Sequence, residues 1–485
     1  MSTAPEFLIV VFDGLRPDLI TPDLMPNLAR FRDAGSAFPL SRAVFPSATR
    51  VNAATLATGA VPGVHGIVAN KFFDPRAFSD RAINTAQHAQ LEAAGRAWGR
   101  LVTAPSLGEL LAQAGRRMAV VSSGSGGATL LLNPRAKELE HVTLSLQAWN
   151  TSTPPAFADE MLRAFGPIPP GARPNTARLT RQTDMFIESV HPRVRPVLSV
   201  VWFSDPDSTF HECGIGSAEG LACLRHADAE FGRLLQWVRQ HEHFQVIALS
   251  DHGHITARSR IDIERLFAEA GLRFDSHFRG DVEFAGSAGY TGAIRVRDGD
   301  RRRMGKLVAW LAAQPWCGVI FTAGGDGTEG AIPGTFDRAL LMLEHERTPE
   351  VYFVMRNDDG RDANGIEGGC FFEGEYPEGG STHGGLHPKE MHNVLIASGS
   401  RFRTTYRSPF PAGITDVAPT ILRLLGLPIP ATMTGRVLSE ALVENAGGPP
   451  PAEHFEHTVG RPPRRQHLHR SRVGTTTYLN AGWVE

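Results

Sequence analysis

Cysteine is scarce: four residues in 485, and Cys213, Cys223, Cys317 and Cys370 show no metal-ligand spacing such as CxxC. In a chain this long they read as reduced core or surface thiols rather than as a disulfide framework. Long apolar runs are absent too, so no segment reaches the length of a membrane span. The opening Met1-Ser2-Thr3-Ala4-Pro5-Glu6 has no basic region, and the apolar run at 7–12 is too short for a signal core and ends in Asp13. A cytoplasmic protein without a membrane partner is the expectation. Excess charge of either sign is also missing, with 49 Lys plus Arg against 51 Asp plus Glu, a net charge of −2. Nothing in that balance calls for a nucleic acid polymer as partner, so any attraction for phosphate must be local. There are no internal repeats. Hydrophobic residues at 42% and charged residues at 21% are ordinary for a globular enzyme, and the length predicts more than one lobe. Of the 19 histidines, His454, His457, His467 and His469 lie near the end and need no ligand role.

Continuous apolar runs at 7–12, 118–121, 197–203, 246–249 and 393–397 read as strands buried on both faces, and helical patterns at 106–114, 223–240 and 416–425 lie between them. This alternation predicts an α/β fold, a mainly parallel sheet sandwiched by helices. From about 266 the character shifts to short strands (293–296, 318–321, 351–354) and a helix near 303–313, followed by a Gly- and acid-rich stretch at 357–380. The expected organisation is a catalytic core in two parts, 1–265 and 376–440, an inserted α+β cap at 266–375 ending in a mobile loop, and a C-terminal tail, 441–485. The tail reads as an irregular wrap in which residues 475–479 could add a strand.

Four short segments supply carboxylates, imidazoles and a hydroxyl: Phe12-Asp13-Gly14; Thr49 within Phe45-Pro46-Ser47-Ala48-Thr49-Arg50; Asp207-Ser208-Thr209-Phe210-His211 with Ser250-Asp251-His252-Gly253; and Thr382-His383-Gly384. Asp13, Asp207 and Asp251 fall at or just beyond predicted strand ends, where open α/β sheets bind ligands. Residues 49–58 read as a helix ending at Gly59, which puts Thr49 at its N-terminus, a place that favours an anionic phosphate. A threonine hydroxyl is a poor nucleophile unless a metal stabilises its alkoxide. The plain alternative is a capping threonine, and Ser47 competes for the nucleophile role. Asp207 and His211, four apart, share a face of a helical turn and suit Zn²⁺, with Asp205 as a rival ligand. A turn after the strand would let Asp251 and His252 reach one ion, while His254 could be a further ligand but reads first as a local hydrogen-bonding residue. His383 sits in glycine-rich loop chemistry, with His387 and His392 close enough in sequence to be confused with it. Asn70 could offer an amide donor to a phosphoryl oxygen.

With these residues in place the chain resembles the alkaline phosphatase superfamily, in particular its nucleotide pyrophosphatase/phosphodiesterase branch and the related phosphonoacetate hydrolase. The likeness covers most of 7–265 and 376–440. It is strongest from Thr49-Arg50-Val51-Asn52 through Ala57-Thr58-Gly59, then at Pro62-Gly63-Val64-His65-Gly66-Ile67 and Asn70-Lys71. The resemblance implies two zinc ions, one held by Asp207, His211 and His383, the other by Asp13, Asp251 and His252 with the Thr49 oxygen. Sites of this donor set also accept Mn²⁺ or Fe²⁺. It implies a phosphothreonine intermediate with Asn70 holding the phosphoryl group. Two departures stand out: Arg50-Val51 replace an aromatic-Pro pair frequent in the nucleotide-hydrolysing branch, and Ser122-Ser123-Gly124-Ser125-Gly126-Gly127 has none of the lysines expected of phosphonoacetate hydrolase.

The expected function is a metal-dependent phosphodiesterase of nucleotide pyrophosphatase type acting on a small-molecule phosphate ester. Cleavage of a phosphonate C–P bond and phosphomonoester hydrolysis are the enzymatic alternatives. A metal-stabilised binding protein is the alternative from another class.

Overall fold

The apolar run at 7–12 becomes the strand Glu6–Phe12 at the centre of an eight-stranded sheet. Its side chains alternate between two cores: Phe7, Ile9 and Val11 enter one, Leu8, Val10 and Phe12 the other. That alternation is what a strand covered on both faces requires. The computed structural model describes residues 5–241, 243–444 and 448–485. The opening Met1–Ala4 and part of the expected tail, 445–447, lie outside the described residues.

Across the sheet the order is Tyr406–Arg407, Ser36–Ala37, Leu395–Ser398, Phe244–Leu249, Glu6–Phe12, Leu198–Phe203, Met118–Ser122, Val142–Ser145. The last five of these run parallel, and Leu395–Ser398 is antiparallel to Phe244–Leu249, with Leu395 opposite Leu249. One core gathers the helices Thr49–Thr58, Leu107–Gln113 and Val417–Leu424; the other gathers Pro26–Ala34, Thr176–Met185 and Ala218–Val238. Both faces of the sheet are thus covered by helices. No helix among the described residues is long and apolar enough to cross a membrane.

The register decides where the site forms. Three neighbouring parallel strands, Phe244–Leu249, Glu6–Phe12 and Leu198–Phe203, bring their carboxyl ends to one edge, about 4.8 Å apart from strand to strand. Because Leu395–Ser398 is antiparallel, the chain that precedes it, including His383, arrives at that same edge.

A second sheet of six strands spans Phe274–Asp275 to Val351–Met355, with the helices Ile263–Glu269 and Arg301–Ala312 packed on it. The stretch 357–380, expected as a mobile loop, instead contains the strands Asn357–Arg361 and Glu367–Phe372. They join Ile255–Arg260 and Ser381–Thr382 in a four-stranded sheet. Its glycines and acids suggested a loop, but Cys370 and Phe372 are buried. The expected irregular wrap is likewise corrected: Ala452–Arg461, Arg464–Val473 and Thr476–Val484 form a three-stranded antiparallel sheet. Val459, Leu468 and Leu479 anchor it against Phe321 and Phe336, an apolar spacing too sparse to stand out among the arginines and histidines.

Candidate active site

Asp13 follows the central strand directly, and Gly14 turns the chain away at φ +72°. A Cβ on Gly14 would come within 2.5 Å of His254 Nε2, so the turn needs glycine both for its dihedral and for space. Asp207 opens the helix Asp207–Cys213, which carries His211 one turn later. Its backbone N–H donates to the Asp13 carbonyl at 2.9 Å, which ties the two strand ends together. Asp251 and His252 follow Phe244–Leu249, and His383 follows Ser381–Thr382.

Two groups of potential ligand atoms result. In one, Asp207, His211, His254 and His383 offer atoms all within 4.8 Å of one another; in the other, Asp13, Asp251 and His252 do so. The imidazoles of the first group are built alike. His211 Nδ1–H donates to the Ser381 carbonyl at 2.8 Å, His383 Nδ1–H to the Ser47 carbonyl at 2.8 Å, and His254 Nδ1 meets Ser381 Oγ at 2.9 Å. Each is thereby held with Nε2 toward a single oxygen, Asp207 Oδ1, at 3.2, 3.4 and 3.0 Å respectively. Fixing one ring nitrogen so that the other can ligate is the usual support of a metal-binding histidine.

The second group fits a cation by its unmet hydrogen bonds. Asp13 Oδ2 accepts from Trp202 Nε1 at 2.9 Å and Asp251 Oδ1 from Gly14 N at 3.0 Å. The other oxygens, Asp13 Oδ1 and Asp251 Oδ2, are buried without a hydrogen-bond partner. They lie 3.6 and 3.3 Å from His252 Nε2. Burial, with Asp251 and Asp207 nearby, holds the Asp13 carboxyl well above the usual carboxylate range. Burial pushes Asp251 up to about 7, with Asp207 adding to it. Burial also opposes charge on Asp207, yet His211, His254 and His383 hold it well below the usual range. His252, His254 and His383 are pushed down by burial, His254 to about 3, which leaves these three neutral and ready to donate lone pairs. Buried carboxylates with free oxygens beside neutral imidazoles are a donor set for divalent cations of borderline hardness.

Thr49 begins the helix Thr49–Thr58, but the cap is Ala48, so the threonine hydroxyl does not serve as a cap. Buried, it lies 3.2 Å from His252 Nε2, at the margin of the second group. Ser47 is committed elsewhere: its hydroxyl donates to the Gly385 carbonyl and accepts from Gly384 N, holding the loop of His383. Asp205 accepts from Asn175 N and Thr209 Oγ1 and belongs to neither group. His387 caps the short helix Pro388–Met391 and pairs with Asp359, and neither it nor His392 joins a ligand group. His254, expected to bond locally, instead reaches Asp207 across the site. Asn70 Oδ1 accepts from Arg50 N at 3.2 Å, and Asn70 Nδ2 makes no hydrogen bond among the described residues.

Beside these residues opens a cavity of about 360 Å³ lined by Arg50, Asn70, Lys71, Tyr290, Glu373 and His383. A larger cavity, about 810 Å³, has none of the candidate residues in its wall and lies apart from this chemistry. The sequence reading missed Trp202, which orients Asp13. It also missed Tyr376, whose ring stacks on His211 with centroids 4.2 Å apart. Trp202 stood inside an apolar run, and no local pattern marks Tyr376.

A sequence profile for the family described as type I phosphodiesterase / nucleotide pyrophosphatase matches residues 7–311. The ectonucleotide pyrophosphatase/phosphodiesterase family member 3 of Rattus norvegicus is 22% identical over 255 residues, covering 51% of this chain and 25% of that protein. Venom phosphodiesterase 2 of Crotalus adamanteus is 25% identical over 255 residues, 51% of this chain and 26% of its own length. The chain thus matches only about a quarter of these relatives' length. Bis(5'-adenosyl)-triphosphatase enpp4 of Xenopus laevis is 38% identical over 73 residues, covering 15% of this chain and 16% of that protein. In fold, murine ectonucleotide pyrophosphatase/phosphodiesterase 5 superposes with a TM-score of 0.59 at 18% identity, covering 88% of this chain and 96% of that one. An inactive variant of that murine protein in complex with AMP gives a TM-score of 0.58 at 17% identity, with the same coverage.

Proposed function

Since the chain belongs to the type I phosphodiesterase / nucleotide pyrophosphatase family, we propose that it hydrolyses small-molecule phosphoric esters with Thr49 as the nucleophile. The observation that carries this reading is the Thr49 hydroxyl 3.2 Å from His252, beside the partnerless Asp13 and Asp251 oxygens. In this reading Asp13, Asp251 and His252 hold one divalent cation next to Thr49, and Asp207, His211 and His383, with His254 beside them, hold a second; zinc suits both donor sets. Bound cations supply positive charge for the nucleophile, the phosphoryl oxygens and the leaving oxygen. Thr49 Oγ1 gives up its proton to solvent and bonds to phosphorus as the bond to the leaving oxygen breaks, and that oxygen departs with the electron pair and takes a proton from solvent. Asn70 Nδ2 donates to a phosphoryl oxygen, its Oδ1 fixed by Arg50 N. Water then attacks the phosphothreonine and restores the Thr49 hydroxyl. A nucleotide-type substrate is supported by the Xenopus relative's name and by the AMP bound to the murine neighbour.

Two in-line displacements give net retention at phosphorus. The test is turnover of a chiral phosphorothioate diester by the metal-loaded protein. Retention is expected; inversion would remove the covalent step, and bound metal without turnover would favour a binding protein.

A further inference from the structure

Arg50 is a cation that makes no direct ion pair among the described residues. The buried arginines of this structure are all engaged. Arg16 grips Asp18 and donates to the Glu367 carbonyl, Arg338 grips Glu344, and Arg347 donates to the carbonyls of Leu101 and Arg100. Arg42, the remaining one, donates to the carbonyl of Ser41. Arg50, partly buried, makes no side-chain hydrogen bond and no ion pair among the described residues: its Nε is sealed from solvent without a partner, as those of Arg42 and Arg347 are, but unlike theirs its terminal nitrogens have no partner either. Burial of an unpaired guanidinium is costly unless something else completes it.

Its position says what that would be. The backbone N–H of Arg50 is pinned to Asn70 Oδ1, one residue beyond Thr49 in the first helical turn, and the side chain lines the 360 Å³ cavity with Asn70 and His383. Lys71, also on that wall, is exposed to solvent, so Arg50 is the partly buried cation of the cleft. A guanidinium keeps its charge in such a site. A planar fork of N–H donors matches two oxygens of a phosphate or carboxylate at once.

We propose that Arg50 forms an anion subsite for a second negative charge, carried either on the phosphorus that Thr49 attacks or on the group next to it. The inference rests on the Thr49 reading and sharpens its substrate class. Phosphomonoesters and pyrophosphate linkages should be preferred over phosphodiesters of two neutral alcohols.

The test compares wild type, Arg50→Ala and Arg50→Lys as metal-loaded protein on three substrates. These are p-nitrophenyl phosphate, with both charges on one phosphorus; ATP, its turnover followed by AMP release, so that the attacked α-phosphorus is singly charged and the second charge lies on the neighbouring phosphate; and bis-p-nitrophenyl phosphate, with a single charge. Inorganic phosphate binding by calorimetry provides a readout independent of turnover. Arg50→Ala should lower kcat/KM about 100-fold on at least one doubly charged substrate and less than about 5-fold on the diester, as loss of a bidentate charge-assisted contact implies. Phosphate affinity should fall at least about tenfold. Arg50→Lys, which keeps the charge and loses the fork, should recover only part of each loss. Which of the first two substrates suffers tells where the second charge sits. Equal losses on all three substrates, or unchanged phosphate affinity in a variant that melts like wild type, would overturn the subsite and leave the Thr49 reading intact. If wild type hydrolyses none of the three, the Thr49 reading fails, and unchanged phosphate affinity would then dispose of the subsite as well.

Discussion

Replacing Thr49 with alanine should separate chemistry from stability more cleanly than any other change in this chain. The side chain is 3% exposed, makes one hydrogen bond, to His252, and sits at the first position of its helix. Losing a hydrogen bond of this kind costs about 1 kcal/mol, and losing a buried methyl about another 1 kcal/mol. Alanine returns a few tenths of a kcal/mol through helix propensity. The net destabilisation is about 1–2 kcal/mol, too little to unfold a domain of ordinary stability. If the hydroxyl is the nucleophile, turnover should fall by about 10⁴-fold or more, which is about 5.5 kcal/mol on the barrier. Hydrolysis of bis-p-nitrophenyl phosphate, a thermal melt and metal analysis on the same preparation check all three points. Thr49→Ser keeps an oxygen in place and should retain measurable turnover. Ser47→Ala is the control, because it loses two hydrogen bonds to the His383 loop but no nucleophile. It should lower turnover without abolishing it. Thr49→Ala within tenfold of wild type, or Ser47→Ala inactive beside an active Thr49→Ala, would refute the assignment.

Trp202→Phe removes the N–H that fixes Asp13 Oδ2 while keeping an aromatic ring in the core. Metal affinity, measured by competition with a chelator, should weaken about 10–100-fold, and an unchanged affinity would show that Asp13 needs no such support. His65 governs part of the acid response. Its Nδ1 accepts from Ile67 N at 3.1 Å, so its proton lies on Nε2, facing Thr55 Oγ1 at 3.0 Å. Burial, with His345 and Arg347 adding, pushes it from 6.5 down to about 3. Between those values the unfolded chain takes up a proton that the folded one refuses, so this contribution is intact above pH 6.5 and lost as pH falls toward 3. At pH 5.5 the loss is about 1.4 kcal/mol. In urea melts at pH 7.5 and 5.5, His65→Gln should lose about 1.4 kcal/mol less than wild type; equal losses would discard the assignment.

The parts of the fold legible in the sequence are those where one local pattern decided the outcome. Residues 7–12 could only be a strand covered on both sides, and 49–58 carried a helical run stopped by Gly59, which adopts the left-handed conformation there. Val142–Ser145, at the sheet edge, had two apolar residues in four and passed unnoticed. The tail failed for a related reason: its three strands are held by pairing with one another, and their few buried apolar residues are widely spaced. Glu367–Phe372 failed because the glycines that suggested a loop are tolerated where a neighbouring side chain lies close against them. A Cβ on Gly369 would meet Arg258 Nε at 2.1 Å.

The candidate site divides along the same line. Asp13, Asp207 and Asp251 were legible because an acid just past an apolar run is a local feature. Their convergence came only through the family resemblance and not from any local pattern, since it depends on which strands are neighbours. Placing Phe244–Leu249, Glu6–Phe12 and Leu198–Phe203 side by side is a choice of topology. An intervening strand would separate two of these carboxylates by roughly another 4.8 Å, beyond the reach of shared imidazoles. His254 illustrates the consequence. Read locally it was the residue after a glycine, but it begins the run into Ile255–Arg260, whose antiparallel pairing with Ser381–Thr382 sets Ser381 beside it. The same pairing carries His383 to Asp207. One short strand pair therefore positions three imidazoles, because Ser381 also accepts from His211 through its carbonyl. A sheet that appears in no sequence motif does the aiming, and the motif residues supply the atoms.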